Sequence, residues 1–138
     1  MAAVLLGLGR TPAEVGSMVD LHDQLLEGLS SATVKRLRGR LHEMRDDPNL
    51  LSALGLAMLD TNSSRKRMTP LQGNFAWTFA RLLVRATHVL GNQSSAERWI
   101  SEPVMALNRR SPLELMTTSA GAQAVDDQLT RMELGVYA

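Results

Sequence analysis

Three times this chain opens a helix in the same way: Thr11-Pro12-Ala13-Glu14, Thr69-Pro70-Leu71-Gln72 and Ser111-Pro112-Leu113-Glu114. In each, a hydroxyl residue stands three places before a carboxyl or amide side chain. Each can therefore accept the other's backbone N–H, closing a capping box. Proline sits at the first helical position, where its missing N–H leaves nothing unsatisfied. Strand-like alternation of apolar and polar residues is nearly absent, so the fold class expected is all-α. Composition agrees: 138 residues, 44% hydrophobic and 21% charged, is ordinary for a globular chain of one compact domain or two small subdomains.

Between these starts the apolar residues recur at helical spacing. Val15, Met18, Val19, Leu21, Leu25 and Leu26 form a stripe that ends near Gly28. Ser30 or Ser31 caps a second helix, expected to carry Val34, Leu37, Leu41 and Met44 on one face and Lys35, Arg36, Arg38, Arg40 and Arg45 on the other. Asp46-Asp47-Pro48 breaks it. A short apolar helix follows with Leu50, Leu51, Leu54, Leu56 and Met58. The longest helix runs from Thr69 to about Leu90, with Leu71, Phe75, Phe79, Leu82, Leu83, Ala86 and Leu90 as its buried stripe and Gly91-Asn92 as its stop. Ser94-Ser95-Ala96-Glu97 has capping-box spacing and opens a helix bearing Trp99 and Ile100, which Pro103 ends. Leu113, Leu115 and Met116 lie on the helix that Ser111 starts. Thr118 or Ser119 caps the last helix, where Ala122, Val125, Leu129 and Met132 share a face. Gly135 stops it, and Val136-Tyr137-Ala138 leaves with an exposed carboxylate. The expected organisation is an N-terminal helical region over 1–91 and a C-terminal three-helix region over 92–138.

Several function classes lose ground on residue types alone. A net charge of +1 is not that of a polybasic nucleic-acid binder, so any such contact must come from a local patch. There are no cysteines, which removes disulfides and thiolate metal sites and fits a cytoplasmic setting. Val4-Leu5-Leu6 is too short for a signal core or a membrane span and lacks a basic leader. His22, His42 and His88 fall on separate helices with no ligand-spaced companions, so no metal site and no catalytic constellation is expected. The chain reads as a non-enzyme without cofactors.

Two interaction surfaces remain. Trp99, Met105, Leu107, Leu115, Met116, Val136 and Tyr137 are more apolar groups than short helices readily hide, and contiguous apolar surface marks a protein partner. Thr61, Asn62, Ser63, Ser64, Arg65, Lys66 and Arg67 follow an apolar helix, the order of a helix-turn-helix, with side chains able to meet bases and phosphates. A solvated polar loop explains the same residues, as does packing against the central helix for Trp99.

The C-terminal residues also resemble a known family. Trp99, Pro103, Ala106, Leu107, Ser111, Pro112, Leu113, Leu115, Met116, Thr118, Gly121, Val125, Leu129, Arg131, Met132, Glu133, Gly135, Val136, Tyr137 and Ala138 stand in the spacing of the toxin-binding domain of MbcA/ParS/Xre antitoxins, across about a third of the chain. One departure is Asn108-Arg109, where the family usually has a glycine pair. The resemblance implies a type II antitoxin that binds a RES-domain toxin, an enzyme that consumes NAD or transfers its ADP-ribose. It also implies a Cro-type helix-turn-helix that begins at the apolar helix Leu50 to Met58, with residues 61–67 in the place of its recognition element; a dimer formed through the N-terminal helices, operator binding and autoregulation are the linked expectation. The expected toxin-binding residues are Trp99, Pro103, Leu107, Arg109, Pro112, Leu113, Met116, Val125, Leu129, Met132, Glu133, Gly135, Val136, Tyr137 and Ala138. In this reading the last helix docks by its apolar face and the tail enters the NAD pocket. The alternative is a stand-alone helix-turn-helix regulator without a toxin partner.

Overall fold

A computed structural model of the chain describes residues 18–28, 30–55 and 69–135. Among them are seven α-helices and no strand: α1 (Met18–Glu27), α2 (Ser31–Gly39), α3 (Pro48–Ala53), α4 (Pro70–Leu90), α5 (Gln93–Ser101), α6 (Pro112–Leu115) and α7 (Ser119–Glu133). A single turn of 3-10 helix, Met105–Leu107, lies between α5 and α6. The all-α expectation holds. The Thr11 helix start and the basic segment 61–67 lie outside the described residues. No described helix is long and apolar enough to cross a membrane.

Most helix ends fall where local chemistry puts them. Ser30 caps α2 by accepting the Thr33 N–H, and Asp47 caps α3 by accepting those of Asn49 and Leu50. At α4 both arms of the capping box form: the Gln72 N–H donates to Thr69 Oγ1 at 3.2 Å, and the Thr69 N–H to Gln72 Oε1 at 3.1 Å. Gly91 ends α4 at φ 94°, a left-handed turn that carries no Cβ penalty in glycine. Thr118, not Ser119, caps α7 by accepting the Gly121 N–H.

α4 is the central element. Phe75, Ala76, Phe79, Ala80, Leu82, Leu83 and Ala86 are buried along it. One continuous apolar core then gathers Val34, Leu37, Leu41, Met44, Leu50 and Leu54 from the N-terminal side and Ala96, Ile100, Leu107, Leu113, Met116, Ala122, Val125 and Leu129 from the C-terminal side. The core crosses residue 91 without a break.

Three local expectations are corrected. α2 ends at Gly39, well before Asp46; Leu41 and Met44 are buried as expected, but from a loop. Leu71, expected in the α4 stripe, is 75% exposed and borders a groove with Ala53, Gln72 and Met116. Finally, α5 is capped by Asn92, whose side chain accepts the Ser95 N–H at 2.8 Å, and not by Ser94 with Glu97.

The first and third corrections share one cause. Glu97 is fully buried, and its carboxylate accepts the backbone N–H groups of His42, Glu43 and Met44 at 2.8–2.9 Å. Gln93 Nε2 donates to the same carboxylate at 2.8 Å and to the Arg40 carbonyl at 2.6 Å. Three successive amides that would have continued the α2 hydrogen-bond ladder converge instead on an anion from another helix. The α2 helix stops because those amides are committed elsewhere, and Glu97 cannot reach back to its own helix start for the same reason.

Candidate partner-binding surface

The surface is built from the segment between α5 and the end of α7. Glu102, in extended backbone at the end of α5, and Pro103 after it release the chain from the helix. Val104 and Arg110 then pair in an isolated antiparallel bridge, the Val104 N–H donating to the Arg110 carbonyl at 3.1 Å. The bridge closes a tight turn. Its apolar foot is Leu107, 8% exposed in the core; its outer edge is Met105, 75% exposed. Asn108 and Arg109 complete the turn at φ 58° and 62°. Ser111 next accepts the Glu114 N–H at 3.2 Å and starts α6.

α6 and α7 are locked together at Gly121. A Cβ at this position would stand 1.9 Å from the Leu115 carbonyl oxygen, so the helices approach as closely as they do only because the residue is glycine. α7 is also tied to α4. Arg85 Nη1 donates to the Asp126 carbonyl oxygen at 2.9 Å and pairs with its carboxylate, while Nη2 donates to Thr130 Oγ1 at 2.7 Å. Arg81 stands 3.6 Å from the same carboxylate. With Val125 and Leu129 fully buried, these bonds fix which side of α7 faces inward.

That orientation bears on the sequence-derived site. Leu107, Pro112, Leu113, Met116, Val125 and Leu129 are buried within this chain, and Trp99 and Met132 are half-buried against the same core. The stripe expected to dock outward is thus the stripe that holds α7 to α4. Pro103, Arg109, Glu133 and Gly135 are exposed. Val136, Tyr137 and Ala138 lie outside the described residues, as do Thr61, Asn62, Ser63, Ser64, Arg65, Lys66 and Arg67. The outward side of α7 carries Gln123, Asp127 and Arg131, all exposed, and ends on Leu134, which is 71% exposed. Glu133 shares a groove with Arg81, Arg85 and His88 of α4.

Sequence reasoning passed over Leu134, the Arg85–Asp126 tie and the amide cradle around Glu97. An exposed leucine one place before a helix-ending glycine was the available signal for the first. The other two join residues far apart in the chain, and nothing local announces them. Among the described residues no group of His, Asp or Glu side chains is placed to hold a metal ion. His42 Nδ1 lies 3.2 Å from Ser94 Oγ, which makes it one more link between the α2–α3 loop and α5.

Comparison with known proteins points to the same segment. Residues 85–135 match the antitoxin Xre/MbcA/ParS C-terminal toxin-binding domain. The chain is 35% identical over 72 residues to a protein named Antitoxin Xre from Yersinia enterocolitica, across 51% of this chain and 49% of that one, so it spans about half of that relative's length. It is 23% identical over 125 residues to an Antitoxin Xre from Pseudomonas putida, across 88% of this chain and 76% of that one. Over residues 85–135, from the second half of α4 to the end of α7, the chain is similar to the C-terminal toxin-binding domain of the Xre/MbcA/ParS antitoxins.

Proposed function

We propose that this chain is an antitoxin that silences a partner enzyme by direct contact. The observation that carries the reading is the match of residues 85–135 to a toxin-binding domain, on a segment whose apolar stripe is already internal and whose far end is exposed. The partner we propose is a RES-domain toxin acting on NAD in the cytoplasm. Inhibition is steric and needs no catalytic residue in this chain. The outward side of α7 lies on the toxin, and Leu134-Gly135 leads the tail Val136-Tyr137-Ala138 into the mouth of the NAD pocket. There the carboxylate of Glu133 pairs with basic groups that otherwise hold the phosphates of NAD.

The test is co-expression with the product of the adjacent reading frame, followed by an NAD-consumption assay with and without this chain. A tight complex with silenced NAD turnover is expected. An adjacent product that neither binds this chain nor consumes NAD removes the reading. Deleting the last four residues should restore toxin activity while helicity and melting temperature stay as they were. Full inhibition by the truncated chain would disprove the tail's part in it.

A linked role is autoregulation. A dimer formed through the N-terminal helices presents Arg65, Lys66 and Arg67 with the neighbouring Thr61, Asn62, Ser63 and Ser64 to operator half-sites. Arg65→Ala with Arg67→Ala should weaken operator binding and leave toxin inhibition untouched. A chain that binds operator DNA and has no toxin beside it would be the stand-alone regulator instead.

A further inference from the structure

We propose that Arg109 is a specificity-determining contact, held outward on a left-handed turn to meet a carboxylate on the protein partner. The inference rests on the antitoxin reading above and assigns the chemistry of one point in that interface. Among the described residues, Asn108 and Arg109 are the non-glycine residues with positive φ, at 58° and 62°. Asparagine tolerates this region because its short polar tip bonds locally. Arginine has no such relief, so its Cβ is held against its own backbone.

The surrounding hydrogen bonds over-determine the turn. The Leu107 and Arg109 N–H groups both donate to the Val104 carbonyl at 3.0 Å, the Arg110 N–H donates to Leu107 at 3.1 Å, and the Val104–Arg110 bridge closes the loop. Leu107 anchors it in the core. Among the described residues, nothing uses the side chain that this conformation presents. Arg109 is exposed, and its guanidinium makes no ion pair or hydrogen bond among the described residues; the same is true of Arg110 beside it. A strained backbone position kept for an unused side chain is a reason to look for its use outside the molecule.

The neighbours indicate the class of partner. Met105, 75% exposed, is on the same turn, and methionine with arginine is the composition of a protein interface. Glu102 and Glu114, both exposed, flank the turn in sequence and oppose a polyanion such as DNA. The planar guanidinium of Arg109, carried on a rigid turn, suits a bidentate pair with one Asp or Glu side chain.

Glycine adopts this φ freely, so Arg109→Gly removes the side chain while easing the turn. The variant is expected to melt at the parent temperature or above it. Its affinity for the co-purified product of the adjacent reading frame should fall about tenfold, the size expected for an interfacial arginine anchor. Its affinity should also depend less on salt than the parent's. Arg109→Lys keeps the charge without the planar fork and should fall between the two. A lower melting temperature for Arg109→Gly would show that arginine stabilises the turn itself, and would overturn the proposal. So would parental affinity in the glycine variant, with the antitoxin reading left standing. If the parent chain binds no such product, both fail together. If the glycine variant loses duplex DNA and keeps its protein partner, the carboxylate assignment is wrong.

Discussion

Replacing Glu97 by glutamine should destabilise the whole fold, although the two side chains differ by one atom. The carboxylate is fully buried, and its charge is balanced by backbone N–H dipoles from His42, Glu43 and Met44 together with the Gln93 amide. Oε1 accepts from all three backbone amides; Oε2 accepts from His42 and from Gln93. Glutamine can place its carbonyl at the Oε1 position and keep three neutral bonds there. Its NH₂ group then faces the His42 and Gln93 donors, where no acceptor remains. A hydrogen bond to a charged group contributes about 1.5–3 kcal/mol, a neutral one about 1 kcal/mol, and a buried donor left unpaired costs about 1–3 kcal/mol. Weakening three bonds, losing the Oε2 bonds and opposing donor to donor add up to roughly 3–4 kcal/mol, discounted for relaxation of the Gln93 side chain. Glu97→Ala should be worse, since no acceptor is left for any of the amides. The assay is urea denaturation followed by far-UV circular dichroism, with the slope of the transition held as a check that the unfolded state is unchanged. A Glu97→Gln variant within about 0.5 kcal/mol of the parent would refute the view that this cradle joins the α2–α3 loop to α5.

Other perturbations follow from the same contacts. Gly121→Ala should destabilise by about 3 kcal/mol, against the usual helical gain of about 1 kcal/mol from alanine, because the new Cβ meets the Leu115 carbonyl; a chain that melts higher would show that α6 and α7 part at little cost. Arg85→Ala should cost about 1–2 kcal/mol, and a double-mutant cycle with Asp126→Asn should recover most of that as coupling; strictly additive effects would mean that the pair does not join α4 to α7. Gln128→Met should raise stability by about 1 kcal/mol, since Gln128 is buried with Oε1 unpartnered among the described residues; an unfolding curve shifted the other way would reveal a partner for that oxygen. Val125→Ala and Leu134→Glu should act on opposite properties of α7, the first lowering stability by about 2 kcal/mol and the second leaving stability alone while weakening toxin inhibition, as judged by thermal melts beside the NAD assay.

Helix starts and stops were legible because each is decided within one turn of chain. Thr69 and Gln72 find each other three residues apart, Ser111 and Thr118 accept the N–H three residues on, and Gly91 and Gly135 need only their own missing Cβ. The same locality explains the errors. Ser94 and Glu97 have the spacing of a capping box, and local chemistry alone would close it; the amides of 42–44 offered Glu97 a better-matched set of donors, more than fifty residues away. The over-long α2 is the other half of that exchange. Leu71 fails for a related reason: helical spacing assigns it to the stripe of Phe75 and Phe79, but in the first turn of α4 it edges a groove instead of entering the core.

The apolar stripe of α7 carries the functional lesson. Ala122, Val125, Leu129 and Met132 were correctly placed on one face, but periodicity states only that such a face avoids water and is silent on whether its cover is the same chain or a partner. Here the cover is α4, and Arg85 secures it by bonding Asp126 and Thr130 on the flank of that face. A partner that seized the stripe would have to strip α7 from the core and leave Arg85 and Asp126 without each other. The same partner can reach Gln123, Asp127, Arg131 and Leu134 without breaking any contact to α4. Under the antitoxin reading proposed above, a chain that must stay folded while it binds a partner is better served by the second arrangement. The buried side of α7 then supplies rigidity, and the exposed side and the end of the helix are left to supply recognition.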